Sequence, residues 1–322
     1  MKYLIFIFIL FCGGCVRSNV APLNVSAQSP VTVPLIVPLS HPKYKIAAAA
    51  FIKNEAKFLK EWIEFHRLMG VEHFYLFNHG SKDNFREVLQ PYINEGIVEL
   101  IDVLEKVNNW GEWNNVQCKT YSDLCKQTKD DVEWLILIDT DEFLFPTKEN
   151  NLNDFLKNYA DVVALSVNWK IYGSSQLEDI GPSDLLTELL IKSSDKAEAD
   201  LHVKTIVRPR TVSHYINPHY PILLPGYQQV NEHKVPLEGP FLETPSRDFI
   251  RINHYWARTW KFFREEKLKR VHMIKKTEEF IKENRGFSIK EDRAISRFIP
   301  LLKANMGQQF PLSHTFVDFV GF

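Results

Sequence analysis

Four cysteines in 322 residues provide no disulfide scaffold. Cys12 and Cys15 belong to an apolar N-terminal stretch. Cys118 and Cys125 fall on an expected helix with their Cα atoms about 10 Å apart, beyond disulfide reach. No CxxC pair outside the N-terminal stretch offers a zinc site, so cysteine usage leaves the redox compartment open. A surplus of one charge is also missing, since 39 Lys and Arg meet 40 Asp and Glu. That excludes a general nucleic-acid binder, which carries a basic excess. The apolar run at the N-terminus falls short of the ~20 residues a spanning helix needs. No internal repeat is visible.

What is present is ordinary globular material, 45% apolar and 25% charged, with enough chain for a large core. Met1 and Lys2 precede the apolar residues 3–11 and then Cys12-Gly13-Gly14-Cys15. This pattern predicts a signal peptide or a membrane or lipid anchor over residues 1–16. Residues 17–43, rich in Pro, Val, Ser and Asn, read as a linker. Asn24-Val25-Ser26 is a glycosylation sequon, relevant only in a eukaryotic secretory lumen. The expected location is membrane-associated or secretory, Golgi-type in a eukaryote, with a bacterial lipoprotein as the alternative.

The body, residues 44–322, alternates apolar strands with helices. Strands are expected at 46–52, 73–77, 97–103 and 134–138, and helices at 55–68, 83–93 and 113–126. Such alternation predicts an α/β fold with a mostly parallel, doubly wound sheet. The second half is less regular, with strands at 162–169, 201–207 and 251–255. A basic amphipathic helix is expected from Trp260 to about Glu283.

Asp139-Thr140-Asp141 directly follows the apolar strand 134–138. Ligands of open α/β sheets bind at the carboxyl ends of strands. In extended chain, Asp139 and Asp141 would project to one side and Thr140 to the other. Two carboxylates facing one way suit Mn²⁺ or Mg²⁺ with phosphate oxygens completing the shell. The same local pattern opens phosphatases that use an aspartate nucleophile, but those place it on the first strand of the domain. A non-enzymatic sugar-binding protein is a third reading.

Residues 51–56 (FIKNEA), 61–66 (EWIEFH), 70–78 (GVEHFYLFN) and 134–146 (WLILIDTDEFLFP) resemble glycosyltransferase family 92 and its family 2-like bacterial relatives. Trp169 with 172–175, then 204–209 and 252–255, continue the resemblance in order over about 46–270. It implies a GT-A fold, with residues 44–170 as the nucleotide-sugar half and 171–322 as the acceptor side with C-terminal helices. It implies transfer of a hexose, for example galactose, from a nucleotide-diphosphate sugar such as a UDP-sugar to a glycan or glycoconjugate acceptor, with inversion.

By that resemblance Asp139 and Asp141 hold the metal and donor diphosphate, and His254 is a candidate third ligand. Asn54, Glu55, Asp83 and Gln117 would lie near the nucleotide. Lys204 and Arg208 would lie on one side of a strand facing phosphate. His214 and His219 match only a loose histidine-bearing stretch. An inverting reaction needs a carboxylate base. Glu178, Asp179, Glu188, Glu243 and Asp248 compete for that role, with Glu142 orienting the metal shell.

Overall fold

The computed structural model describes residues 36, 38–195, 197–270 and 277–307. The N-terminal segment expected at 1–16, the Asn24 sequon and most of the linker lie outside the described residues. Among those residues, no helix is long and apolar enough to cross a membrane.

The first half builds as its pattern predicts. Strand β1 (Tyr44–Ile52) leads to α1 (Ala56–Leu68), β2 (His73–Asn78), α2 (Phe85–Asn94), β3 (Val98–Asp102), α3 (Trp110–Thr128) and β4 (Val132–Leu137). β1 pairs in parallel with both β2 and β4, and β2 with β3. β1 carries Ile46, Ala48, Ala50 and Ile52 into one core cluster, and Ala47, Ala49 and Phe51 into another on the opposite face. A strand covered on both sides reads as a continuous apolar run, which is why this one shows no alternation.

α1 is stopped by Gly70, whose φ of +96° suits glycine. The Gly70 amide donates to the Arg67 carbonyl and the Val71 amide to the His66 carbonyl, each at 2.9 Å. These two bonds form a Schellman end. α3 starts earlier than its apolar period suggests, because Asn109 caps it by accepting from the Glu112 amide at 3.0 Å.

The second half adds β5 (Glu142–Pro146), α4 (Leu152–Leu156), β6 (Ala164–Ile171), α5 (Leu186–Leu189), β7 (Lys192–Ser193) and β8 (Val203–Val207). After these come β9 (Val212–Asn217), β10 (Tyr220–Leu223), β11 (Gln229–Val230) and β12 (Ile250–His254). The main sheet has nine described strands in the order β3-β2-β1-β4-β8-β6-β12-β5, with β11 on β6. β8 is antiparallel to β4 and β6, β12 is parallel to β6, and β5 is antiparallel to β12. β1, β2, β3, β4, β6, β11 and β12 therefore run one way, while β8 and β5 run the other. The sheet is mostly parallel with an antiparallel admixture that strand–helix alternation does not reveal.

β4 and β5 are joined only by residues 138–141, yet three strands separate them in the sheet. A flat sheet would set them about 19 Å apart. A four-residue turn cannot bridge that distance, so the sheet curls and brings β5 back toward β4.

The single helix expected from Trp260 is broken. α6 (Trp260–Phe262) passes into a π-helical turn, Phe263–Lys267, and then α7 (Leu268–Arg270). Residues 271–276, including Val271 and Ile274 of the expected apolar face, lie outside the described residues. α8 (Thr277–Gly286), β13 (Lys290–Glu291) and α9 (Ile299–Gly307) follow. The break has a packing reason, because Phe263 is fully buried while the flanking Arg264 and Glu265 remain exposed. A π turn at a helix kink often marks a functional site.

Candidate functional site

The strands that share one direction deliver their following loops to a single edge. Residues 53–55, 138–141, 172–176 and 255–259 meet there. At its centre Asp139, Thr140 and Asp141 form a turn and are not extended. The Glu142 amide donates to the Asp139 carbonyl at 3.0 Å, and the Asp139 amide donates to Glu142 Oε2 at 3.0 Å. The expected alternation of Asp139 and Asp141 about an extended strand is therefore corrected. The chain turns because β5 must start on the other side of the curled sheet.

A lysine flanks each aspartate. Lys204 Nζ on β8 lies 2.9 Å from Asp139 Oδ2, and Asp139 is partly exposed. Asp141 is buried, pairs with Lys267 of the π turn, and lies 3.4 Å from His254 Nε2 at the end of β12. Thr140 Oγ1 accepts from Arg258 Nη2 at 3.3 Å, and Arg258 also pairs with Glu55. The Arg258 guanidinium is fully buried between the rings of Phe58 and Phe262, 4.3 and 4.8 Å from their centroids.

Burial would raise Asp141, but Lys267, His254 and Arg258 together hold it well below the usual carboxylate range. Burial pushes Glu142 well above that range, helped by the charges of Asp139 and Asp141 and opposed by Lys204. Burial works against the Lys204 ammonium, yet Asp139 and Glu142 outweigh it and hold the lysine up. Charges buried this way persist only when paired.

The structure thus brings together Asn54, Glu55, Asp139, Asp141, Lys204 and His254. Asn54 has a left-handed backbone (φ 51°), accepts from the Lys82 amide at 2.8 Å and donates to Glu266 Oε2 at 2.8 Å. Asp83 borders this loop, where its Oδ2 accepts from the Ala56 amide at 2.7 Å and satisfies the first turn of α1. Gln117 is buried on α3 one turn beyond Trp113, whose ring packs on Phe51 and His79 at the ends of β1 and β2.

Arg208 does not join them. It pairs with Glu133 at the start of β4 and stacks 4.0 Å from Trp134, at the opposite end of the strand from Asp139. It shares a face with Lys204, but four residues of β-strand carry it about 13 Å away. His219 is buried, with Nδ1 2.9 Å from the Val203 carbonyl, and His214 is exposed on β9. Among the proposed bases, Glu188 pairs with Lys303 and Asp248 lies 3.1 Å from His233. Glu178 and Asp179 are paired as well, Glu178 with Arg264 and Asp179 with Lys57 and Lys261. They adjoin the segment that carries Arg258, since Thr259 Oγ1 reaches Asp179 at 3.4 Å.

Sequence reasoning missed Arg258, Glu266 and Lys267. Arg258 left a trace only in the backbone, where a non-glycine φ of 52° marks strain held at a site.

Two carboxylates and an imidazole are residue types that suit Mn²⁺. Here Asp141 and His254 adjoin at 3.4 Å, while Asp139 is turned to Lys204. Among the described residues, the one His/carboxylate group with its ligand atoms within 4.8 Å of one another is Glu232, His233 and Asp248. His254 faces Asp141 through Nε2, and its Nδ1 is buried without a hydrogen-bond partner. Asp139, Asp141 and His254 are the residues that would hold the ion.

A sequence model described as Glycosyltransferase family 92 matches residues 46–285. A glycosyltransferase family 92 protein of Ricinus communis is 26% identical over 236 residues, covering 71% of this chain and 38% of its own length. One from Oryza sativa subsp. japonica is 25% identical over 226 residues, with 69% and 35% covered. The chain therefore spans little more than a third of these relatives. Among solved structures, S. aureus TarS 1–349 in complex with UDP shares 15% identity at a TM-score of 0.32, covering 51% of this chain and 47% of that chain. Glucosyl-3-phosphoglycerate synthase from Mycobacterium tuberculosis in complex with Mn²⁺ and UDP-glucose shares 12% identity at a TM-score of 0.26, covering 39% and 44%.

Proposed function

The chain belongs to glycosyltransferase family 92, and we propose that it moves a hexose from a nucleotide-diphosphate donor, a UDP-sugar, to a glycan or glycoconjugate hydroxyl with inversion, using Mn²⁺ or Mg²⁺. The observation that carries this reading is the placement of Asp139 and Asp141 in the turn after β4 and of His254 at the end of β12, on the carboxyl edge of a mostly parallel sheet, with His254 3.4 Å from Asp141. Family membership leaves the phosphatase alternative without support.

A divalent ion in this set would offset the charge that develops on the departing nucleotide diphosphate. The protein's own residues supply the rest. Lys204 sits behind Asp139 and fixes that carboxylate, while Arg258 ties Thr140 and Glu55 to one guanidinium. Lys267 and Glu266 reach in from the π turn to Asp141 and Asn54, so the C-terminal segment closes one side of the site. Lys267 carries its ammonium on a flexible four-carbon stem, suited to meeting a diphosphate once Asp141 has taken another partner. Glu178 and Asp179 are the two carboxylates from which the base would come. The apolar residues 3–11 support a membrane-associated or secretory placement.

A thermal-shift screen of UDP- and GDP-sugars with Mn²⁺ tests the donor class. A metal-dependent rise in Tm with UDP-sugars is expected, and no shift with any nucleotide would count against the reading.

A further inference from the structure

A cavity of about 340 Å³ lies between the loop after β6 and α8, lined by Ser174, Gln176, Trp260, Asn284, Arg285 and Ser288. We propose that it is the subsite for a pyranose ring of the acceptor. This rests on the transferase reading above and names the half of the reaction that the carboxylate turn does not explain.

Several independent features point to a ligand. Asn284 is fully buried and spends its Oδ1 on the Ser174 amide at 2.9 Å, but its Nδ2 has no partner. A buried amide donor is normally satisfied, so an unsatisfied one lining a cavity marks a place for an acceptor oxygen. Arg285 is exposed and makes no ion pair or hydrogen bond through its guanidinium among the described residues. Trp260 is half-buried, its ring braced edge-on by Phe263 at 5.8 Å. An aromatic face with a ring of hydroxyl, amide and guanidinium groups matches a pyranose, which offers C–H patches and a rim of hydroxyls. The volume is at the small end of the roughly 300–1,000 Å³ of ligand clefts, enough for one ring and not an extended chain.

The cavity is also built at a cost to the backbone. Ser175 and Gln176 both take left-handed conformations, with φ of 51° and 66°. A Cβ on Gly173 would fall 2.1 Å from Ser288 Oγ and 2.4 Å from the Asn284 carbonyl. Glycine alone lets the loop after β6 dock this closely on α8. Strain of this kind collects at binding sites.

Position supplies the link to the reaction. Trp260 lies two residues beyond Arg258, which reaches Thr140 and Glu55. The loop carrying Ser174 leaves β6 where Ile171 pairs with His254. A ring held here borders the edge where the donor diphosphate is expected.

The test uses the full chain and two ligands measured separately, a panel of methyl hexopyranosides and UDP with Mn²⁺, by titration calorimetry. At least one methyl glycoside is expected to bind, at least tenfold more weakly to Trp260→Ala and Arg285→Ala, with Trp260→Phe intermediate. Affinity for UDP with Mn²⁺ is expected to stay within twofold in all three variants. Unchanged glycoside binding in both alanine variants, or a parallel loss of UDP affinity, would overturn the subsite. So would displacement by inorganic phosphate with no glycoside bound, which would make it an anion site. Failure of wild type to bind UDP with glycoside binding intact would sink the transferase reading and leave the sugar site standing.

Discussion

The indole Nε1 of Trp62 donates to the main-chain carbonyl of Glu142 at 2.9 Å. One turn on, His66 Nε2 accepts from the Leu144 amide at 3.2 Å while its Nδ1 donates to the Trp62 carbonyl at 2.8 Å. α1 thus grips the first residues of β5, the strand on which the carboxylate turn ends. The two side chains fix where Asp141 emerges, although neither touches a ligand.

Trp62→Phe keeps an aromatic ring in the core but leaves the Glu142 carbonyl without its buried donor. It is expected to cost about 1–3 kcal/mol of stability. Donor turnover should fall at least tenfold, since small displacements of reacting groups are expensive. Chemical denaturation and steady-state kinetics measure both, and a stable variant with wild-type turnover would remove Trp62 from the account.

Lys267 and a divalent cation compete for Asp141. In Lys267→Met, Mn²⁺ titrated without nucleotide should bind several-fold more tightly than in wild type. The metal-free protein should lose about 3 kcal/mol, because a buried carboxylate has lost its main partner. Weaker Mn²⁺ binding in this variant would contradict the competition.

Lys204 and Arg208 share a strand face but should separate cleanly. Lys204→Met leaves Asp139 and Glu142 without their cation and should reduce both stability and binding of UDP with Mn²⁺. Arg208→Met loses the Glu133 pair and the stack on Trp134, so stability falls while UDP affinity of the folded protein stays unchanged. Calorimetric titration of the two variants distinguishes these outcomes.

Burial pushes His66 down to about 3 from its usual 6.5. The folded protein keeps this ring neutral where the unfolded chain protonates it. Its contribution is therefore complete above pH 6.5 and is lost as pH falls from 6.5 toward 3. The slope is about 1.4 kcal/mol per pH unit. His66→Gln should be less stable at pH 8 and should show a shallower loss than wild type between pH 6.5 and 4.5. Parallel pH profiles would show that His66 does not carry this linkage.

The strand–helix units up to β4 were legible because each buries a continuous apolar run or a periodic helix face within a short stretch of chain. Asp139, Asp141 and His254 were legible as residue types at strand ends. The turn itself was not, because its shape depends on β5 pairing with β12, a contact between residues about a hundred positions apart. Arg258 and Lys267 were hidden for the same reason. Lys267 falls within what reads as one basic helix, and only the burial of Phe263 and the π turn aim it inward. Arg208 misled because strand alternation fixes a face but says nothing about which end of the strand carries the site. Glu61 appears as a charged helix residue, yet its buried carboxylate accepts from the amides of Leu186 and Thr187 at 2.8 and 2.9 Å.

The central claim is that Asp141 helps to hold a divalent cation that activates a nucleotide-sugar donor. Hydrolysis of UDP-galactose and UDP-glucose by wild type and Asp141→Ala, each with Mn²⁺ and with chelator, tests it most directly. The account predicts release of UDP by wild type with Mn²⁺, loss of that release with chelator, and a drop of at least a hundredfold in the variant. Release that persists without metal and survives the substitution would contradict it.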